Sequence, residues 1–102
     1  MTTGWIIAVL LEPEGEPRPV RHYFAVAQSD QARAEWAAAD AALVTDHVAP
    51  SPSGGMEPIE ALSQLSASSV RSLGLRPGQV KPLGAKWPRR WITPVPASDL
   101  SL

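Results

Sequence analysis

The chain has no cysteine, only two histidines, and one phenylalanine and one tyrosine among its 102 residues. Without cysteine there are no disulfide staples, thiolate nucleophiles or cysteine-based zinc sites, and the composition fits a reducing compartment. The two histidines, His22 and His47, are 25 positions apart and have no short His-x-His or Glu-x-x-His partner, so neither opens a metal first shell. Asp46-His47 has the composition of a base and its orienter, but adjacent residues seldom point at each other, and no Gly-x-Ser-x-Gly elbow supplies a nucleophile. A solvated pair after a helix is the simpler reading. Ser53-Gly54-Gly55 lacks the flanking pattern and the lysine of a phosphate cradle. Neither a cofactor nor catalysis is expected from these residues.

Long apolar runs are also missing. Trp5 to Leu11 is the longest at the N-terminus, and its seven residues are too few to span a membrane. It has no cationic lead and no small-residue cleavage site, so it is expected to be neither a signal peptide nor a membrane span, and a cytoplasmic setting follows as the expectation. P-x-x-P is absent, which removes the usual SH3-type ligand.

What the chain does have is proline and an uneven charge. Its 11 prolines cluster at 13–19, 50–58 and 77–96, which reads as a hairpin loop, a linker and a C-terminal tail. A chain of this length has room for one domain with a thin core, since such a domain buries roughly two-thirds of its unfolded surface. The net charge of −1 hides a division. Residues 1–60 hold three cations (Arg18, Arg21, Arg33) against nine acids, and residues 61–102 hold six cations against Asp99 alone. Such a chain can offer a basic end to an anionic partner or clamp its own acidic half.

The run Trp5–Leu11 is rich in strand formers and flanked by Gly4 and Glu12-Pro13. Trp5, Ile7, Val9 and Leu11 share one face, and Ile6, Ala8 and Leu10 the other. Both faces are apolar, so this strand is either central or meets a partner on its second face, as in a homodimer. Residues 12–19 form a polar turn, and Val20–Ala27 returns as a second strand of an antiparallel hairpin. Ser29-Asp30 opens a helix with Ser29 as the expected cap, and Ala32, Trp36, Ala39 and Leu43 form its expected sheet-facing stripe. The helix fades near Val44.

Residues 49–58 read as a mobile linker, and Ile59–Leu65 reads as strand or helix, with an edge strand at Ile59–Leu62 favoured. Ser66 caps a short helix over Ala67–Leu73, which Gly74 ends in a left-handed conformation with Leu75 folding back. Arg76-Pro77-Gly78-Gln79 is a turn with glycine where φ is positive, and Val80 pairs briefly after it. Beyond Pro82 there is no periodicity, so residues 83–102 are expected to be an extended or disordered basic tail. The expected fold is therefore α+β over residues 4–82: a hairpin plus a third strand, packed by one main and one short helix (ββαβα). The stretches "WIIAV", "YFAVAQ" and "LSASSVRSLGLRPGQV" resemble small uncharacterised bacterial proteins of this ββαβα type. The resemblance implies a compact α+β unit and no known activity.

Two binding patterns remain. Ala61–Leu73 compares with a helix-turn-helix, but Gln64 stands where the turn wants glycine, and Arg71 is the only cation on the would-be recognition helix. The stronger pattern is the run Arg71, Arg76, Lys81, Lys86, Trp87, Arg89, Arg90 and Trp91, where cations alternate with tryptophans able to stack on bases, on arginine or on the protein's own core. These eight residues are the expected partner-binding set of a non-enzymatic interaction protein. A protein partner is the first reading, and nucleic acid is the alternative.

Overall fold

The computed structural model describes residues 2–86. Its elements, in chain order, are β1 (Gly4–Glu12), β2 (Val20–Val26), α1 (Gln31–Leu43), β3 (His47–Val48), β4 (Ile59–Leu65), α2 (Ala67–Ser72) and β5 (Val80–Gly84). The five strands form one antiparallel sheet, so the fold is α+β with the expected ββαβα order at its heart. β1 lies at the centre. β2 runs along one of its edges, from Trp5↔Val26 to Leu11↔Val20. The other edge is shared by β4, from Gly4↔Leu65 to Val9↔Ile59, and by β3 at Leu11 and Glu12. β5 pairs with the outer side of β2.

The two apolar faces of β1 are both covered from within the chain. Ile7, Val9 and Leu11 join Phe24, Val26 and the α1 residues Ala34, Ala38 and Ala42 in one cluster. On the opposite side, Ile6 joins Ala25, Ala27, Leu65 and the α2-region residues Val70 and Leu73. Burying each large aliphatic of this strand contributes roughly 1.5–3 kcal/mol, which makes β1 the main source of stability in so small a core. The lower part of the α2 side, at Ala8 and Leu10, is crossed by an ion pair from Arg21 on β2 to Glu60 on β4, at 2.7 Å.

α1 departs from expectation in two ways. Its N-cap is Asp30, not Ser29: Asp30 Oδ1 accepts from the Arg33 N–H at 2.9 Å. Ser29 is otherwise engaged, its hydroxyl with Thr3 and its carbonyl with Trp5 Nε1, both at 3.0 Å. The second departure concerns the stripe. Ala34, Ala38 and Ala42 face the sheet, whereas Trp36 is 73% and Leu43 58% exposed, and only Ala39 of the expected set is buried. The physical reason is volume. The sheet face is already filled by Ile7, Val9, Leu11, Phe24 and Val26, and a helix lined with alanine seats closest on it.

The 49–58 stretch, expected to be a mobile linker, contains a tight turn. Ser53 and Met56 exchange backbone hydrogen bonds at 3.0 and 2.9 Å, and Gly54 and Gly55 carry the positive φ values that a two-residue primed turn demands. Downstream, expectation and structure agree closely. β4 is an edge strand, longer than the Ile59–Leu62 expected. Ser66 caps α2 through Ser69 N–H at 3.0 Å, Gly74 has a φ of 73°, and the Leu75 N–H returns to the Val70 carbonyl. β5 continues through Pro82 to Gly84, past the point where the tail was expected to begin. Proline is tolerated there because β5 is an edge strand with an irregular register opposite Tyr23 and Phe24.

Gly4 lies between the Val26 backbone of β2 and Val70 of α2. A Cβ there would collide with the Val26 carbonyl oxygen and press on Val70 Cγ2 at 3.1 Å. Gly4→Ala is therefore expected to cost about 2 kcal/mol or more through overpacking, read as a lower urea midpoint at unchanged m-value.

Candidate functional site

Four of the eight expected binding residues are described, and one continuous piece of chain presents them. Val70 and Leu73 anchor α2 to the sheet, which leaves the neighbouring Arg71 exposed to solvent. After Gly74 the chain turns, and its end is pinned to β2 by Gly78 N–H to the Ala27 carbonyl (2.7 Å) and Ala27 N–H to the Gln79 carbonyl (2.9 Å). Arg76 sits in this turn, its own N–H donated to Gln79 Oε1 at 2.8 Å, and its side chain is exposed. Lys81 stands on β5 opposite Ala25, and Lys86 follows the strand's end; both are exposed. Trp87, Arg89, Arg90 and Trp91 lie outside the described residues.

The electrostatics of this rim are one-sided. From Ala61 to Lys86 there are four cations and no acid. Among the described residues Arg21–Glu60 is the one ion pair, so the rim cations are free of acidic partners there. A shallow depression of about 350 Å³ adjoins Arg71, lined also by Val70, Leu75 and Pro77. Such a surface can hold an acidic group by charge while offering an apolar contact beside it.

The residues weighed for catalysis are not brought together. His22 is half-buried on β2 opposite Val9, and the bond to a neighbour expected for it is not seen among the described residues. His47 is exposed on β3; it shares a groove with Asp46, Glu12 and Glu14, but no hydrogen bond joins Asp46 to it. No group of three or more potential ligands could hold a metal ion among the described residues. The helix-turn-helix comparison is overturned outright: residues 59–65 are a strand, so its first helix does not exist, and α2 has six residues.

A second surface was not legible beforehand. Trp36 stands on the side of α1 that faces β4, where it lines a groove of about 230 Å³ with Glu35 and Ile59. Further along β4, Trp5, Leu62 and Gln64 line a wider groove. Among the described residues β4 pairs with β1 on one side only. The one available signal was that α1 carries two stripes at helical spacing, 34-38-42 and 32-36-39-43, and only one can face the sheet. Comparison with protein-family models, curated proteins and solved structures finds no match to this chain.

Trp36 supplies a sharp check on the orientation of α1. At concentrations low enough for a monomer, Trp36→Ala is expected to change unfolding free energy by less than about 0.5 kcal/mol. A tryptophan on the sheet-facing stripe would instead cost about 3–5 kcal/mol on denaturant titration.

Proposed function

We propose that this protein is a small non-enzymatic binding module of the cytoplasm that docks an acidic protein partner along the rim Arg71–Arg76–Lys81–Lys86. The observation that carries the reading is the four-cation, acid-free stretch from Ala61 to Lys86, exposed on α2, the following turn and β5. Trp87, Arg89, Arg90 and Trp91 continue the same pattern in the sequence. The turn is tied to β2 by backbone hydrogen bonds, so Arg76 and Lys81 are held on a rigid support before any partner arrives. The cytoplasmic part of the reading rests on the cysteine-free composition. Among the described residues no helix is long and apolar enough to cross a membrane. A homodimer held by an uncovered face of β1 has lost its ground, because both faces are covered internally; association of copies must use another surface.

Nucleic acid competes for the same cations and is separated by titration. The full chain is titrated with poly-glutamate and with a single-stranded oligonucleotide across a salt series. Poly-glutamate is expected to bind at low salt, weakening steeply as salt rises. Replacing Arg76 and Lys81 together by alanine is expected to weaken it roughly fivefold or more, at about 0.5–1 kcal/mol per exposed charge pair. Changing Trp87, Arg89, Arg90 and Trp91 to alanine in the full chain reports their share. Tighter oligonucleotide binding, with a salt slope that falls by about one unit per cation removed, transfers the function to nucleic acid. Failure of both probes at low salt rejects the binding rim.

A further inference from the structure

We infer that the free edge of β4, together with Trp36 above it, is a homodimer interface in which β4 of one copy pairs antiparallel with β4 of a second. This surface lies apart from the basic rim and stands or falls independently of it.

The first observation is an unguarded edge. Exposed edge strands are normally protected by lysine, proline or inward charge. β5, at the far side of the sheet, has Lys81 and Pro82. β4 reads Ile59-Glu60-Ala61-Leu62-Ser63-Gln64-Leu65, with no lysine, arginine or proline. Its one charge, Glu60, is drawn back across β1 to Arg21 at 2.7 Å and so does not guard the edge. One register irregularity, opposite Ile6 and Ile7, sets Ile59–Ala61 apart from Ser63–Leu65.

The backbone of Ile59–Ala61 is oriented for pairing. Leu10 N–H donates to the Pro58 carbonyl at 2.8 Å, which places Pro58 and, two residues on, Glu60 at positions bonded to β1. Alternation in an antiparallel ladder then turns the peptide groups of Ile59 and Ala61 outward. A two-fold axis at Glu60 sets Ile59 of each copy opposite Ala61 of the other, so both residues exchange N–H and C=O bonds across the axis. The two Glu60 side chains come close there, each already paired with its own Arg21.

The second observation comes from the helix side and selects a second copy over an unrelated strand. α1 packs chiefly over β1. In the joined sheet, β1 and its counterpart are three strand spacings apart, so the two α1 axes stand about 14 Å apart. Helices in direct contact pack at about 8–10 Å, which leaves a trough floored by Ile59 and Ala61 of both copies. A single extended peptide on β4 would leave this trough open. Trp36 is the largest side chain α1 sends towards it, is 73% exposed, and already borders Ile59. With the axis at Glu60, the two Trp36 rings stand about two residues apart along the strands and meet over the trough. Together they bury roughly 300–500 Å², against the ~1,600 Å² of a standard interface. The rest comes from the paired strands and the groove at Trp5, Leu62 and Gln64, so a weak, concentration-dependent dimer is expected.

Sedimentation equilibrium of the full chain tests this, combined with hydrogen exchange of the Ile59 and Ala61 amides. The expected result is a monomer–dimer equilibrium in which both amides become protected as concentration rises. Trp36→Ala, at an exposed position that leaves folding intact, is expected to weaken dimerisation about 10- to 30-fold. Ala61→Pro removes an outward N–H and is expected to abolish it, with folding checked by circular dichroism. A strict monomer up to about 1 mM overturns the proposal. So does a dimer whose strength is unchanged by Trp36→Ala, or one that forms without protecting the two amides.

Discussion

Everything in this small fold depends on one strand being apolar on both faces. β1 must be covered above and below and paired along both edges, and a chain of this size has only enough structure to do each once. α1 takes one face and α2 with its flanking leucines the other, while β2 takes one edge and β3 and β4 divide the second. The rest of the architecture follows from meeting these four demands. Even the Arg21–Glu60 pair serves it, closing the stretch over Ala8 and Leu10 that α2 is too short to reach.

That arrangement decides which chemistry is left for the surface. The large side chains of the core come almost entirely from the sheet, so α1 contributes alanine and can sit close. Its bulky residues, Trp36 and Leu43, are released outward, Trp36 beside Ile59 of β4 and Leu43 beside His47 of β3. The exposed cations after Ala61 lie on α2 and the tightly bonded turn after it, and continue to β5 at the far edge of the sheet. The two edges of the sheet thus differ in kind: β5 is basic and broken by proline, and β4 carries one charge, Glu60, which is paired with Arg21. A protein with two dissimilar edges can hold a copy of itself on one and an acidic partner on the other without competition between them.

Much of the fold was legible because its signals are local. Ser66 as a cap, Gly74 in the left-handed region, Leu75 folding back and Gly78 in the turn all depend on neighbours within a few residues, and each lies where the sequence places it. The segregation of cations after Ala61 was legible for the same reason, as a count along the chain. What misled were features decided by distant partners. Ser29 lost the cap to Asp30 because Thr3 and Trp5 engage it from another strand. Pro82 reads as a strand breaker until β5 is seen to be an edge.

By itself, then, the sequence determined the β1–β2 hairpin, the α1 helix, the Ser66 cap, the Gly74 and Gly78 turns, the central place of Trp5–Leu11 and the segregation of charge, all of which follow from short-range backbone preference and composition. The tertiary structure alone decided which stripe of α1 faces inward. With alanine on both stripes, helical periodicity cannot choose between them; the volume already filled by Ile7, Val9, Leu11, Phe24 and Val26 does. It also decided that β4 would lie at the outer side of the sheet among the described residues, because strand order is set by how long-range pairings share the two sides of β1, and no local pattern records that.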